Sequence, residues 1–233
     1  MKSFKLLMIS SALLFASVSV HAAGMLPQAS VVIVEEADGE GSIDIKNTDS
    51  HVSILLTTVE NTSEDSEELI TVLPPMARVE PGKTQKVRFV LTSNEPLQTE
   101  RLKRVTFEGV PPKVGENESK VRVTFIQNLP VIIRPSGLDV NLTPWEGLKW
   151  RLINGGLEVS NPTSYVVRLG QALQTLPDGA SWTLTKPYIL PGETLTMASG
   201  NSASHGVAKH VRISPATTWG FTVDKYDAEI LSD

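Results

Sequence analysis

Few residues in this chain have the type and spacing to run a reaction. His51, His205 and His210 lie beyond the apolar N-terminus. His205 and His210 stand five apart in a Gly/Ser-rich stretch, a spacing that serves neither a strand face nor a helix face. No cysteine and no nearby carboxylate pair completes a metal set there. Ser202 and Ser204 sit in Gly-Asn-Ser-Ala-Ser-His, without the Gly-x-Ser-x-Gly turn that exposes a hydrolase nucleophile. A glycine-rich phosphate loop is absent, and Asp44 and Glu158 simply alternate with apolar residues. We expect no catalytic residue, no metal and no cofactor.

Recognition has a better candidate. Lys120 to Pro135 reads Lys-Val-Arg-Val-Thr-Phe-Ile-Gln-Asn-Leu-Pro-Val-Ile-Ile-Arg-Pro. Val121, Val123 and Phe125 fall on one face, and Lys120, Arg122 and Thr124 on the other, the period of two of an extended strand. Pro130 has no N–H to give to a ladder, so it marks a break, a bulge or an edge. Two readings are open at this point. The strand could bury its apolar row in its own core, or it could be an edge that offers the row to another protein.

The elements that would position this strand are also strands. Ser30–Glu35, Ser42–Lys46, Val52–Val59, Val87–Leu91 and Arg101–Val110 are apolar or alternating runs between turn residues, and Trp219–Asp224 reads as a last strand. The acidic tract Glu60–Glu68 reads as a solvated loop serving solubility. No helix-period segment of useful length interrupts them. The pattern also repeats. Ser42–Leu55, with Ile43, Ile45 and Asn47, is echoed 114 positions later by Gly156–Leu169, with Leu157, Val159 and Asn161. Glu80-Pro81-Gly82-Lys83-Thr84 is echoed 110 positions later by Leu190-Pro191-Gly192-Glu193-Thr194. Such an offset is about one immunoglobulin-like sandwich. The fold class is therefore all-β, two immunoglobulin-like β-sandwich domains spanning residues 23–135 and 136–233, joined near Pro135–Asp139. Trp145, Trp150, Trp182 and Trp219 read as core and rim aromatics of the second domain.

Lys2 and Lys5 before the apolar run Leu6–Val20, with Ala22 and Ala23 after it, describe a signal peptide cleaved after Ala22. Without Lys2 and Lys5 the formal net charge moves from −5 to −7, which argues against a nucleic-acid partner. No later stretch approaches membrane-spanning length, so no membrane insertion of the mature chain is expected. With no cysteine the exported chain has no disulfide framework, and ordinary cores must hold it.

In order, the Asn-bearing hairpin Asp44–Asn47, the Arg78-Val79-Glu80-Pro81-Gly82 turn, Glu100 running into Val110-Pro111-Pro112, the long strand ending Arg134-Pro135 and Val159-Ser160-Asn161-Pro162-Thr163 cover nearly all of the mature chain. In that order and spacing the chain resembles the PapD-like periplasmic chaperones of the chaperone–usher pathway, which assembles pili on Gram-negative bacteria. The resemblance implies an L-shaped pair of sandwiches, a periplasmic location, and pilus or fimbrial subunits and an outer-membrane usher as partners. It implies donor-strand complementation, in which the long strand completes a subunit's open sandwich. The matching subunit-binding row is Val121, Val123 and Phe125; burying three such side chains would contribute on the order of 5–8 kcal/mol before ordering costs. It further implies an interdomain pairing of Arg134 with Glu100 and Asp224. An exposed row of this kind also makes self-association of the free protein an expectation.

One departure from the family stands out. Its usual clamp for the subunit's terminal carboxylate is an arginine on the first strand and a lysine on the long strand. Here Val31 or Val32 and Pro130 occupy those places. Arg101, Lys103 and Arg104 on the neighbouring strand are the candidate replacements. The nine-residue loop Pro111–Ser119 resembles the family's short-loop branch. The alternatives weighed are a structural pilus subunit or adhesin-like sandwich, and an exported hydrolase, which would need a nucleophile and base not found here.

Overall fold

The computed structural model describes residues 24–93, 95–111, 124–153, 156–198, 208–217, 219–221 and 223–231. Residues 1–22, Val121, Val123, Ser202, Ser204 and His205 lie outside them. Among the described residues the helical content is one 3-10 turn, Pro144–Gly147.

The first nine strands are β1 (Met25–Pro27), β2 (Val32–Glu35), β3 (Glu40–Asn47), β4 (Ser53–Glu60), β5 (Ile70–Leu73), β6 (Met76–Val79), β7 (Thr84–Leu91), β8 (Arg101–Val110) and β9 (Ile126–Arg134). They hydrogen-bond in the order β5-β7-β3-β2-β9-β8-β4-β6, with β1 on β3. Period-two patterning explains their faces. Ile43 and Ile45 point inward from β3, Val87 and Phe89 from β7, Val105 and Phe107 from β8, and all enter one core. β2 joins the layers: it meets β3 at Glu35↔Glu40 and runs parallel to β9 from Val32↔Val131 to Glu35↔Arg134.

The rest of the chain adds β10 (Lys149–Ile153), β11 (Gly156–Ser160), β12 (Val167–Leu169), β13 (Ala172–Leu176), β14 (Ser181–Thr183), β15 (Tyr188–Ile189), β16 (Thr194–Ala198), β17 (His210–Ile213), β18 (Pro215–Ala216) and β19 (Tyr226–Leu231). A seven-stranded and a three-stranded sheet, β15-β12-β18, enclose a second core around Trp145, Trp150 and Trp182. Two immunoglobulin-like sandwiches therefore follow one another.

The sequence echo has a physical cause. Asn47 is fully buried and its Nδ2 donates to the carbonyls of His51 (3.0 Å) and Val79 (2.9 Å). Its backbone carbonyl accepts from Gly82 N–H at 2.9 Å. Asn161 repeats the knot: Nδ2 donates to Tyr165 O (2.8 Å) and Ile189 O (3.1 Å), and its carbonyl accepts from Gly192 N–H at 2.7 Å. Gly82 (φ +71) and Gly192 (φ +74) take the left-handed conformation that their Pro-Gly turns require. Each asparagine thus ties a strand end to a turn about thirty residues away, satisfying polar groups that burial would otherwise orphan.

One strand was expected in the wrong place. Trp219–Asp224 is not the last strand; Trp219-Gly220-Phe221 is a turn closed by Gly220 N–H on Thr217 O (2.8 Å). Gly220 has φ +84, and a β-carbon there would sit 2.1 Å from Ser30 Oγ in the first domain, so the close approach requires glycine. The last strand is β19, where only Tyr226, Ala228 and Ile230 alternate inward.

Candidate functional site

The alternation on β9 leads from the core to the surface. Leu129, Val131 and Ile133 are buried in the first core. Phe125 precedes the strand on the same parity and is 53% exposed. Val121 and Val123, which continue that row in sequence, lie outside the described residues. The pairing with β8 runs without a bulge from Glu108↔Ile126 to Arg101↔Ile133. Pro130 is therefore neither a break nor a bulge. The β2 ladder starts at Val131, so among the described residues β9 has no neighbour on that side from Ile126 to Pro130. Pro130 sits at an open edge, where a missing N–H breaks no ladder bond.

A groove of about 830 Å³ lies beside that edge. Leu26–Val31 form one wall and Gln127–Pro130 the other, while Arg104, Arg168, Trp219 and Phe221 close the end at the domain junction. Phe221 is 70% exposed and Trp219 is half-exposed, so the end of the groove has an apolar rim.

Beneath it the domains are pinned by a small shared core of Val31, Leu102, Ile132 and Val166. Arg134 is buried beside this core. Its Nε donates to Glu100 Oε1 at 3.1 Å, and its Nη1 to Glu35 Oε1 at 2.7 Å. Glu100 in turn spans the junction: its Oε2 accepts from Val166 N–H (2.9 Å) and its own N–H donates to Ser164 O (2.8 Å). Burial pushes the Glu100 carboxyl up, against the pull of Val166 N–H and Arg134. The second acid on the guanidinium is Glu35, which faces Arg134 in the parallel ladder; Asp224 is exposed and does not take that place. The proposed triad is thus corrected to Glu35, Glu100 and Arg134.

The three cations of β8 separate by parity. Arg101 and Lys103 share the row of Val105 and Phe107. At its end they meet Asp65, with Arg101 Nη2 2.6 Å from Oδ1 and Lys103 Nζ 2.9 Å from the same oxygen. Arg101 also reaches Glu67 at 2.9 Å. Burial raises the Asp65 pKa, but hydrogen bonds from Arg101 and Lys103 outweigh it and hold the carboxyl at about 2. Glu64, next to it, reaches the second domain through Lys186 (2.6 Å) and Tyr188 Oη (3.2 Å). The Glu60–Glu68 tract is therefore no purely solvated loop; it bolts the domains together. Arg101 and Lys103 are spent in that bolt.

Arg104 has the opposite parity and faces the groove, where Nε donates to Asn128 Oδ1 (2.7 Å) and Nη2 to Asn128 O (3.0 Å). Sequence reasoning missed its neighbour, Arg168. Val167 and Leu169 are buried, so the strand period turns Arg168 outward. That much was readable, but not that the first domain lies on that side.

Comparison with known proteins agrees with this geometry. Residues 24–139 match the family model for the pili and flagellar-assembly chaperone, PapD N-terminal domain. Residues 143–226 match that for the pili assembly chaperone PapD, C-terminal domain. The uncharacterized fimbrial chaperone YhcA of Escherichia coli K12 is 42% identical over 216 residues, covering 92% of this chain and 94% of the relative. The chaperone protein FimB/FhaD of Bordetella pertussis is 36% identical over 126 residues, half of this chain and 51% of its own. Among solved structures, the E. coli chaperone DraB superposes with a TM-score of 0.72 at 18% identity, over 89% of this chain and 99% of its own. The Salmonella enterica SafB chaperone, solved in complex with the SafA pilin, gives 0.72 at 18% over 91% and 99%. With both domain models matched in order and a 42% identical fimbrial chaperone covering nearly its whole length, this chain belongs to the PapD-like family of pilus assembly chaperones.

Proposed function

We propose that this chaperone captures pilus subunits by donor-strand complementation along β9 and hands them to an outer-membrane usher, without catalysing a reaction. The observation that carries the reading is the core row of β9, Ile133, Val131 and Leu129, which after Gln127 is followed on the same parity by an exposed Phe125 beside an open strand edge. Edge N–H and C=O groups give sequence-tolerant affinity, and Val121, Val123 and Phe125 would fill the subunit's open core. The solved complex of the SafB chaperone with the SafA pilin supports this partner class. Periplasmic work fits the family, and Lys2, Lys5 and Leu6–Val20 support export through residues 1–22. Of the three cations proposed for the subunit carboxylate, Arg104 keeps that role, because Arg101 and Lys103 are engaged with Asp65.

The test is a pull-down from periplasm with the tagged mature chain beside its Val123→Asp variant. Small β-sandwich subunits held by the first and lost by the second support the reading. Equal retention by both moves the site off this strand. No pilin-like protein captured where the pilus is expressed overturns it.

A further inference from the structure

The linker between the domains is tied down by one carboxylate. β9 ends at Arg134 and the chain turns at once: Leu138 N–H donates to Pro135 O at 3.3 Å, with Gly137 (φ +80) in the third place of the turn. Positive φ at that place alone makes it a type II turn, which gives the N–H of its second residue, Ser136, no bond of its own. Ser136 N–H donates instead to Glu36 Oε2 at 2.7 Å. The other oxygen of that carboxylate accepts from Leu97 N–H at 2.8 Å.

Glu36 owes its place to the ladder. Its N–H donates to Arg134 O at 2.9 Å, one step beyond the β2–β9 pairing, before the Glu36–Gly39 turn carries the chain into β3. Glu35 and Glu36 thus divide the junction: Glu35 takes the Arg134 guanidinium, and Glu36 takes two backbone donors on segments that lead to the second domain. From Leu97 the chain runs to Glu100, whose N–H donates to Ser164 O. From Ser136 it runs to Asp139, whose carbonyl accepts from Tyr165 Oη at 2.9 Å. The bond from Ser136, and next that from Leu97, hold the Glu36 carboxyl below its ordinary range, so both favour the ionised form.

The angle set there matters on the other side of the junction. The Trp219-Gly220-Phe221 turn of the second domain closes the end of the groove beside β9 and rests on Ser30, so closely that a β-carbon on Gly220 would meet Ser30 Oγ at 2.1 Å. A small rotation at the linker therefore either presses this turn into Ser30 or lifts it off and widens the groove.

We propose that Glu36 is a positioning residue: by tying the linker turn and the approach to β8 to the end of β2, it fixes the angle between the domains and with it the width of the groove that receives a subunit strand. The angle follows from the hydrogen bonds alone; its bearing on capture rests on the donor-strand reading above. Arg134 joins side chains at the junction, whereas Glu36 acts on the backbone of the linker itself.

Residual dipolar couplings of the mature chain read the angle, since one alignment tensor fits both domains only while they move as one body. Dissociation of a captured subunit, followed by surface plasmon resonance, reads the groove. In Glu36→Ala each domain should still fit its own wild-type couplings, but the two should need different tensors. A captured subunit should leave about fivefold faster, the scale of one hydrogen bond. Glu36→Gln, with one acceptor oxygen for two donors, should do the same to a smaller degree, and it decides on the same terms where Glu36→Ala fails to fold. Ser136→Pro keeps the turn, because proline suits its second place, but removes the donor. It should split the tensors part of the way, and the double variant should go no further than Glu36→Ala. Glu40→Gln, which gives up a surface pair with Arg88, should keep one tensor and the wild-type rate.

One tensor for both domains in Glu36→Ala overturns the proposal, as does a double variant whose effects add. Split tensors with an unchanged dissociation rate overturn the link from angle to groove. In each case capture that still depends on Val123 leaves the donor-strand reading standing. Capture indifferent to Val123 removes that reading, and the tensors alone then decide on Glu36.

Discussion

β9 and β19 hold the same place in their two domains and meet different fates. Each is a last strand, antiparallel to one neighbour along its length (β8 or β17) and parallel to a first strand only at its C-terminal end. Among the described residues each therefore leaves one side of its first residues without a partner strand. β19 protects that edge with charge: Asp227 and Glu229 alternate with its inward residues, Asp227 holds Arg212 at 2.7 Å, and Asp224 and Lys225 precede it. That is how natural sheets discourage edge pairing. β9 does the reverse. It is preceded by an exposed phenylalanine on the parity of its own core residues, and Ile126 beside it is also exposed. The same topology thus carries opposite surroundings, charged residues ahead of β19 and apolar ones at the start of β9.

The sharpest break of the comparison lies within one row. Val131 and Phe125 share parity on β9, but Val131 is fully buried and Phe125 is not. Val131→Asp puts an unpaired carboxylate in the core and should cost about 4 kcal/mol or more, enough to unfold the first domain in a urea titration. A similar midpoint for this variant and the wild type would mean that the row is not core at Val131.

Next in size is the junction. Arg134→Ala leaves Glu100 buried beside Glu35 with no cation and should cost about 3–5 kcal/mol by chemical denaturation. β19 has no counterpart to this pair. Its Arg212–Asp227 bridge is surface-exposed and screened by solvent, and Arg212→Ala should leave the denaturation midpoint close to that of the wild type. Equal costs for the two would show that Arg134 is not holding the domains.

How much of this was readable follows the same line between near and far. Strand runs such as Arg101–Val110 came through because alternation is local. The Asn/Pro-Gly echo came through because one buried asparagine needs one turn, and the need appears twice. What failed depended on partners far along the chain or on the strand pairing that brings them together. The Glu60–Glu68 tract looks like a solvated loop until Lys186 and Tyr188, more than a hundred residues on, turn out to face it. Glu35 replaced Asp224 because a parallel ladder, invisible to local pattern, sets it beside Arg134. Arg101 and Arg104 looked equivalent, although their opposite parities on one strand already separated a core-end cation from a groove cation.

A smaller effect sharpens the contrast at the surface. Phe125→Asp should weaken capture of a pilin subunit about tenfold or more, about 1.4 kcal/mol, with the melting temperature unchanged. Tyr226→Asp, near the start of β19, should leave capture unchanged and lower stability modestly, since Tyr226 packs on the second core. Surface plasmon resonance against an immobilised subunit reads the first, and a thermal melt the second. Loss of capture in both variants would mean that neither edge is privileged.

The smallest effect tests whether the Glu64 bolt makes the two domains one unit. Burial opposes ionisation of Glu64, but the hydrogen bond from Lys186 and other local bonds outweigh it, and its carboxyl is held at about 2 instead of 4.5. The sign follows from linkage. A carboxylate whose folded pKa is depressed contributes stability in full above its unfolded pKa and loses it as pH falls toward the folded value. Domain pairing should therefore weaken between about pH 4.5 and pH 2, with Asp65, also held at about 2, adding to the same slope. Glu64→Gln should melt a few degrees below the wild type at neutral pH, on the order of 1 kcal/mol in a chain of this size. As pH falls from 4.5 to 2 the two curves should draw together, because protonation progressively removes from the wild type what the variant never had. A gap that stays constant from pH 7 to pH 2.5 would mean that Glu64 acts by shape or neutral hydrogen bonding alone. The bolt would then not be an ionic one.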